Sequence, residues 1–164
     1  MKMIKIFLES SALWNLYYDE EGASLVEFCL NQDMLSCCSS SWSPLELHRG
    51  IKKRLNQQEI SFKEAENLRL FIEADLQLLI SKKKIYLIPV SQEIINRAKE
   101  YIHLYNLYAS DALQLATANI DNCRGMLVDD YHFKRLDKRI KTEQGQEIWS
   151  TLLKIENFSS ELDL

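Results

Sequence analysis

Glycine and proline are scarce in this chain, four and two among 164 residues, and no low-complexity stretch gathers them into a linker. That argues for one domain over residues 1–164, long enough to bury a core. No run of about 18 apolar residues occurs, so no membrane span is expected. The apolar part of Met1-Lys2-Met3-Ile4-Lys5-Ile6-Phe7-Leu8 is too short for a secretory signal, and Glu9 interrupts it. A cytoplasmic protein is the expectation. The cysteines Cys29, Cys37, Cys38 and Cys123 lack C-x-x-C spacing, and His48, His103 and His132 do not complete a finger-like zinc pattern. Reduced thiols in the core are expected. A basic excess is missing too, with a net charge of −4 and a pI near 5.5. Strongly basic chains advertise nucleic acid; here Lys and Arg are only locally dense, at Lys52-Lys53-Arg54, at Lys82-Lys83-Lys84, and between Lys134 and Lys141.

What is present is an alternation of short apolar strands with amphipathic helices. Strands are expected at Ile4–Leu8, Met34–Ser39, Ile85–Ile88 and Met126–Val128. Helices are expected at Ser11–Tyr18, Ala23–Asn31, Ser43 to about Gln57, Phe62–Ser81, Ser91–Tyr105 and Ser110–Ile120. The third opens with Pro44 at its first position, and Ser91 and Ser110 are candidate N-caps. Beyond Tyr131 the pattern gives a helix to about Lys141, a short helix near Glu143–Trp149 and a strand near Leu152–Ile155. Such alternation predicts a parallel sheet covered on both faces, a three-layer α/β/α sandwich.

Four carboxylates fall where strands end or helices begin: Glu9, Glu46, Asp111 and Asp130. Carboxylates at the carboxyl ends of parallel strands, and on the helices facing them, converge on one crevice. Like charges held together raise each other's proton affinity unless a cation neutralises them. A hard divalent ion, Mg²⁺ or Mn²⁺, is the natural occupant, and metal-assisted phosphodiester chemistry the natural use. Each residue also has a local role open to it. Glu9 can cap the helix that begins at Ser10 or Ser11. Ser43-Pro44-Leu45-Glu46 matches a capping box. Asp111 complements a helix dipole, and one of Asp129 and Asp130 can cap the helix that follows.

The segments Phe7-Leu8-Glu9-Ser10-Ser11-Ala12-Leu13, Pro44-Leu45-Glu46-Leu47, Ser110-Asp111-Ala112-Leu113-Gln114-Leu115-Ala116-Thr117-Ala118 and Leu127-Val128-Asp129-Asp130-Tyr131-His132-Phe133 resemble the successive signatures of PIN-domain proteins, in order and spacing, from about Ile4 to Leu136. The resemblance implies a PIN fold, a Mg²⁺- or Mn²⁺-dependent ribonuclease, and often the toxin of a type II toxin–antitoxin pair. It assigns the acidic quartet to Glu9, Glu46, Asp111 and Asp130, as metal ligands and catalytic groups, with Ser10 as the hydroxyl after the first acid. Two departures stand out. Glu9 replaces the usual Asp, and Val128-Asp129-Asp130 replaces Val-Thr-x-Asp; Asp130 keeps the D-x-x-F spacing, and Asp129 is the alternative.

The expected partners are single-stranded or structured RNA, a cognate antitoxin and a second copy of the chain. The alternative is a catalytically weakened PIN-like protein that acts by protein or RNA binding, for which Trp14, Tyr17 and Tyr18 offer aromatic surface. A phosphatase-like metal enzyme ranks lower because no nucleophilic Asp motif is present.

Overall fold

The computed structural model describes residues 3–18 and 22–129. In chain order the elements are β1 (Ile4–Leu8), α1 (Ser10–Tyr17), α2 (Ala23–Asn31), β2 (Leu35–Ser40), α3 (Ser43–Asn56), α4 (Phe62–Ser81), β3 (Ile85–Ile88), α5 (Gln92–Tyr105), α6 (Ala109–Ile120) and β4 (Gly125–Leu127). The four strands pair in parallel in the order β3-β2-β1-β4.

This order fixes the layers. The chain steps from β1 through β2 to β3 in one direction, so right-handed crossovers place α1–α4 on one face. It then returns past β2 and β1 to reach β4, which places α5 and α6 on the other. Alternation along the strands matches. Ile6, Leu8, Cys37 and Leu127 pack with α1–α4, whereas Phe7, Cys38, Met126 and Val128 pack with α5 and α6. The sheet is thus buried on both sides, as the near-continuous apolar run of β1 requires. The three-layer α/β/α sandwich is the observed architecture.

Three start signals differ from the sequence expectation. Helix α3 begins at Ser43 behind an N-cap at Trp42, with no side-chain cap bond, so Pro44 is its second residue. The Ser43–Glu46 capping box does not form. Helix α6 begins at Ala109 behind Tyr108, and Ser110 lies inside the helix with its hydroxyl spent on Glu46 instead. Ser91 does cap α5, accepting from the Ile94 amide at 3.2 Å. Strands β2 and β4 are displaced by one residue from their expected limits. The helices and strand expected beyond Tyr131 lie outside the described residues. Among the described residues, no helix is long and apolar enough to cross a membrane.

Candidate active site

Between β1 and β4 the chain direction across the sheet reverses, and the carboxyl ends of such strands flank a crevice. Strand β1 delivers Glu9 to that edge and β4 delivers Asp129. Helices α3 and α6, from opposite layers, lean over it with Glu46 and Asp111 in their first turns. Glu9, Glu46, Asp111 and Asp129 line one cavity of about 680 Å³, together with Ser10, Ser11 and Asn15. Asp130 lies outside the described residues. Three of the four expected acids therefore meet in one place, and Asp129 accompanies them.

Glu9 is 3% exposed. It is the N-cap of α1, with Oε2 accepting from the Ser11 amide at 2.7 Å and from the Ser11 hydroxyl. Oε1 accepts from the Ser10 hydroxyl at 2.5 Å. Local capping and a place in the crevice are therefore compatible for this residue. Burial pushes its pKa up to about 7, against the hydrogen bonds from Ser10 and Ser11, and the nearby charge of Glu46 adds to the rise. A carboxylate so placed is short of positive charge.

Glu46 is held from the other layer. Ser110 Oγ donates to Oε1 and Gln114 Nε2 to Oε2. Gln114 is fully buried and also donates to Ser43 Oγ at 3.0 Å. Ser43 Oγ contacts Ser39 Oγ at 2.8 Å, and Ser39 donates to the Leu8 carbonyl at 2.6 Å. A line of buried polar groups thus ties the end of β1 to Glu46 through both helical layers. Asp129 receives a hydrogen bond from Asn15 Nδ2 at 3.4 Å, and its amide donates to Ser11 Oγ at 2.8 Å.

Arg49, Lys53 and Arg54 also line the cavity, beside Trp14, Gln57 and Glu59, and Arg54 Nη1 pairs with Glu59 Oε2 at 2.5 Å. Arg54 lies over the Tyr18 ring at 4.1 Å, and Tyr18 stacks on Trp14 at 5.4 Å. Gly50 allows this approach, since a Cβ there would lie 2.9 Å from the Trp14 ring. Tyr17 packs into the core. Of the locally basic segments, Lys53 and Arg54 reach the crevice; Lys134–Lys141 lies outside the described residues. The acidic floor offers oxygen donors only, which suits a hard divalent ion rather than a soft one.

The family profile of the PIN domain matches residues 6–139.

This chain belongs to the PIN-domain family.

PIN domains are generally nucleases. No curated protein sequence matches this one significantly. Solved structures similar in fold include a toxin–antitoxin complex from Klebsiella pneumoniae, 17% identical, with a TM-score of 0.50 over 76% of this chain and 86% of that one. VapBC2 from Rickettsia felis, bound to a DNA fragment from its promoter, is 16% identical with a TM-score of 0.55, covering 80% and 92%. PAE2754 from Pyrobaculum aerophilum is 11% identical with a TM-score of 0.57, covering 98% and 90%.

Sequence reasoning missed Gln114, Arg49 and Asn15. A signal existed for the first two: Gln114 follows Asp111, and Arg49 follows Glu46, by three residues on one helix face. Asn15 meets Asp129 only through strand pairing.

Proposed function

We propose that this PIN domain is a divalent-metal-dependent endoribonuclease and the toxin of a type II toxin–antitoxin pair. The observation that carries the reading is the buried Glu9, pushed up to about 7 beside Glu46, at the sheet's switch point. Glu9, Glu46, Asp111 and Asp130, or Asp129 in place of Asp130, would hold Mg²⁺ or Mn²⁺. Such an ion supplies Lewis acidity toward a phosphodiester and acidifies water. The chain's own groups do the rest. Ser10 and Ser11 orient the Glu9 oxygens, and Ser110 and Gln114 fix Glu46. Arg49, Lys53 and Arg54 grip the phosphates of single-stranded or structured RNA, an attraction that weakens as salt rises. One solved structure of similar fold is a toxin–antitoxin complex, which supports a cognate antitoxin as partner; a second copy of the chain completes a homodimer.

Glu9 also supports a second reading, a PIN domain that acts by protein or RNA binding. Both its oxygens already accept bonds from Ser10 and Ser11. RNA cleavage by wild type, Glu9→Asp and Glu9→Gln, each in Mg²⁺ and in Mn²⁺, separates the two. The enzyme reading expects weak wild-type cleavage, better in the geometrically tolerant Mn²⁺. It expects Glu9→Asp to match or exceed the wild type and Glu9→Gln to be inactive. Equal cleavage by Glu9→Gln removes Glu9 from the site and favours the binding reading.

A further inference from the structure

At the far end of α6 from Asp111 sits a second cluster of potential ligands, with different donor chemistry. About ten residues of helix, roughly 15 Å at 1.5 Å per residue, separate Asp111 from Asp121. Cys38 on β2 and Cys123 ahead of β4 bring their sulfurs to 3.4 Å, both fully buried. Asp121 offers a carboxylate oxygen, and the three ligand atoms all lie within 4.8 Å of one another. The Tyr86 hydroxyl donates to Asp121 Oδ2 at 2.7 Å and also bonds the Cys38 side chain. Lys5 Nζ stands 3.0 Å from Asp121 Oδ2.

We propose that Cys38, Cys123 and Asp121, with Tyr86 as the fourth donor, form a structural site for Zn²⁺ or a similarly sulfur-seeking divalent ion, separate from the carboxylate crevice. Four donors of the S₂O₂ kind around one point satisfy the ligand count of a closed tetrahedral site. With metal–sulfur distances of about 2.3 Å, a tetrahedral ion sets its two sulfurs about 3.8 Å apart. The pair needs to open by a few tenths of an ångström. A disulfide, at about 2.05 Å, needs it to close by more than 1 Å.

Charge also balances. Two thiolates and the Asp121 carboxylate carry three negative charges, and a divalent ion with Lys5 cancels them. Without the ion, neutral thiols and the Lys5–Asp121 pair are balanced as well. Binding therefore exchanges two thiol protons for one ion without leaving net charge in the protein. Lys5 and Tyr86 both bond Oδ2 of Asp121, so an ion taking Oδ1 leaves the Lys5 bond in place. Asp121 and Lys5 are partly exposed, at 23% and 41% of their side chains, and provide the way in.

The test is titration of metal-free, reduced full-length protein with Co²⁺, read by absorption. Thiolate ligands give near-ultraviolet charge-transfer bands that oxygen ligands in the crevice do not. The expected result is saturation at one equivalent, displacement by Zn²⁺, and a Tm raised by several degrees in excess Zn²⁺. Cys38→Ser and Cys123→Ser should each abolish the bands, Asp121→Asn should weaken binding at least tenfold, and a Cys29→Ser/Cys37→Ser double variant should bind as the wild type does. Absence of charge-transfer bands in the wild type overturns the proposal, and needs no variant to fold. So do bands that survive in Cys123→Ser, or a Cys38–Cys123 disulfide in protein isolated without oxidant. The crevice plays no part, so an inactive nuclease leaves this result standing.

Discussion

Two segments of this chain carry the same S-x-x-E pattern at a helix start, and they fold differently. In Ser61-Phe62-Lys63-Glu64 the pattern closes a reciprocal capping box: the Glu64 amide donates to Ser61 Oγ at 3.2 Å, and the Ser61 amide donates to Glu64 Oε2 at 2.7 Å. Hydrogen bonds from the Ser61 side chain and then from the Ser61 amide hold the Glu64 carboxyl below its usual range. In Ser43-Pro44-Leu45-Glu46 the helix has already begun at Ser43, so Glu46 is not at the capping position. Ser43 turns inward to Ser39 and Gln114, and Glu46 reaches across to α6. A local motif is satisfied locally when its surroundings are water. It is overridden when a second layer offers buried partners. The acid that leaves its cap is the one at the crevice.

The sharpest way to break this contrast is to neutralise both acids in separate proteins. Glu46→Gln keeps shape and can still accept from Gln114 while its amide donates to Ser110 Oγ in reverse, but it loses charge. Metal-dependent RNA cleavage should fall by about 10²–10³-fold, the scale seen when one charge-stabilising group is removed from an active site. Its Tm should stay within a few degrees of wild type. A comparable rate in the variant would make Glu46 a structural residue like Glu64.

Glu9 gives the next effect, through pH. Its carboxyl is raised from 4.5 to about 7 in the folded protein, so the folded state holds a proton that the unfolded state releases. Its contribution is fully present below about pH 4.5 and is lost as pH rises toward 7. In metal-free protein that loss is on the order of 3 kcal/mol. Urea unfolding followed from pH 4.5 to 7.5 should show a decline that Glu9→Gln flattens and that Mn²⁺ relieves. Superimposable pH profiles for the two proteins would show that burial of Glu9 has no energetic weight.

Ser43→Ala should destabilise by about 1–3 kcal/mol, because Gln114 and Ser39 are left with a missing partner in a buried network. Ser61→Ala at the exposed box should lose about 1 kcal/mol, the ordinary value of a cap. Chemical denaturation ranks the two; the reverse order would contradict the distinction between buried network and exposed cap. Glu64→Gln, the smallest change, should leave both Tm and cleavage at wild-type values.

Much of the fold was legible because its elements obey local rules. The β1 run, the Phe62–Ser81 helix and the Ser91 cap are where the pattern puts them. The convergence of Glu9, Glu46 and Asp111 was legible too, since each follows a strand or opens a helix, and parallel topology brings such positions together. What sequence hid depends on long-range partners. The Ser43 box and the Ser110 cap looked sound locally, and buried bonding to Gln114 and Glu46 displaced both. Spacing argued against the cysteines as ligands, yet the turn that follows α6 sets Cys123 against Cys38 of β2 across 85 residues of chain. Their burial as free thiols is as expected.

Asp111 offers the sharpest test of the proposed metal-dependent ribonuclease activity of the crevice carboxylates. That residue is buried at the helix N-terminus, lines the cavity and plays no part in the two serine boxes. Wild type and Asp111→Asn should be assayed side by side on single-stranded RNA with Mg²⁺, with Mn²⁺ and with chelator. The expected result is cleavage by the wild type in either metal, stronger in Mn²⁺, none with chelator, and a loss of at least a hundredfold in a folded Asp111→Asn. Metal-independent cleavage, or equal rates for the two proteins, would contradict it.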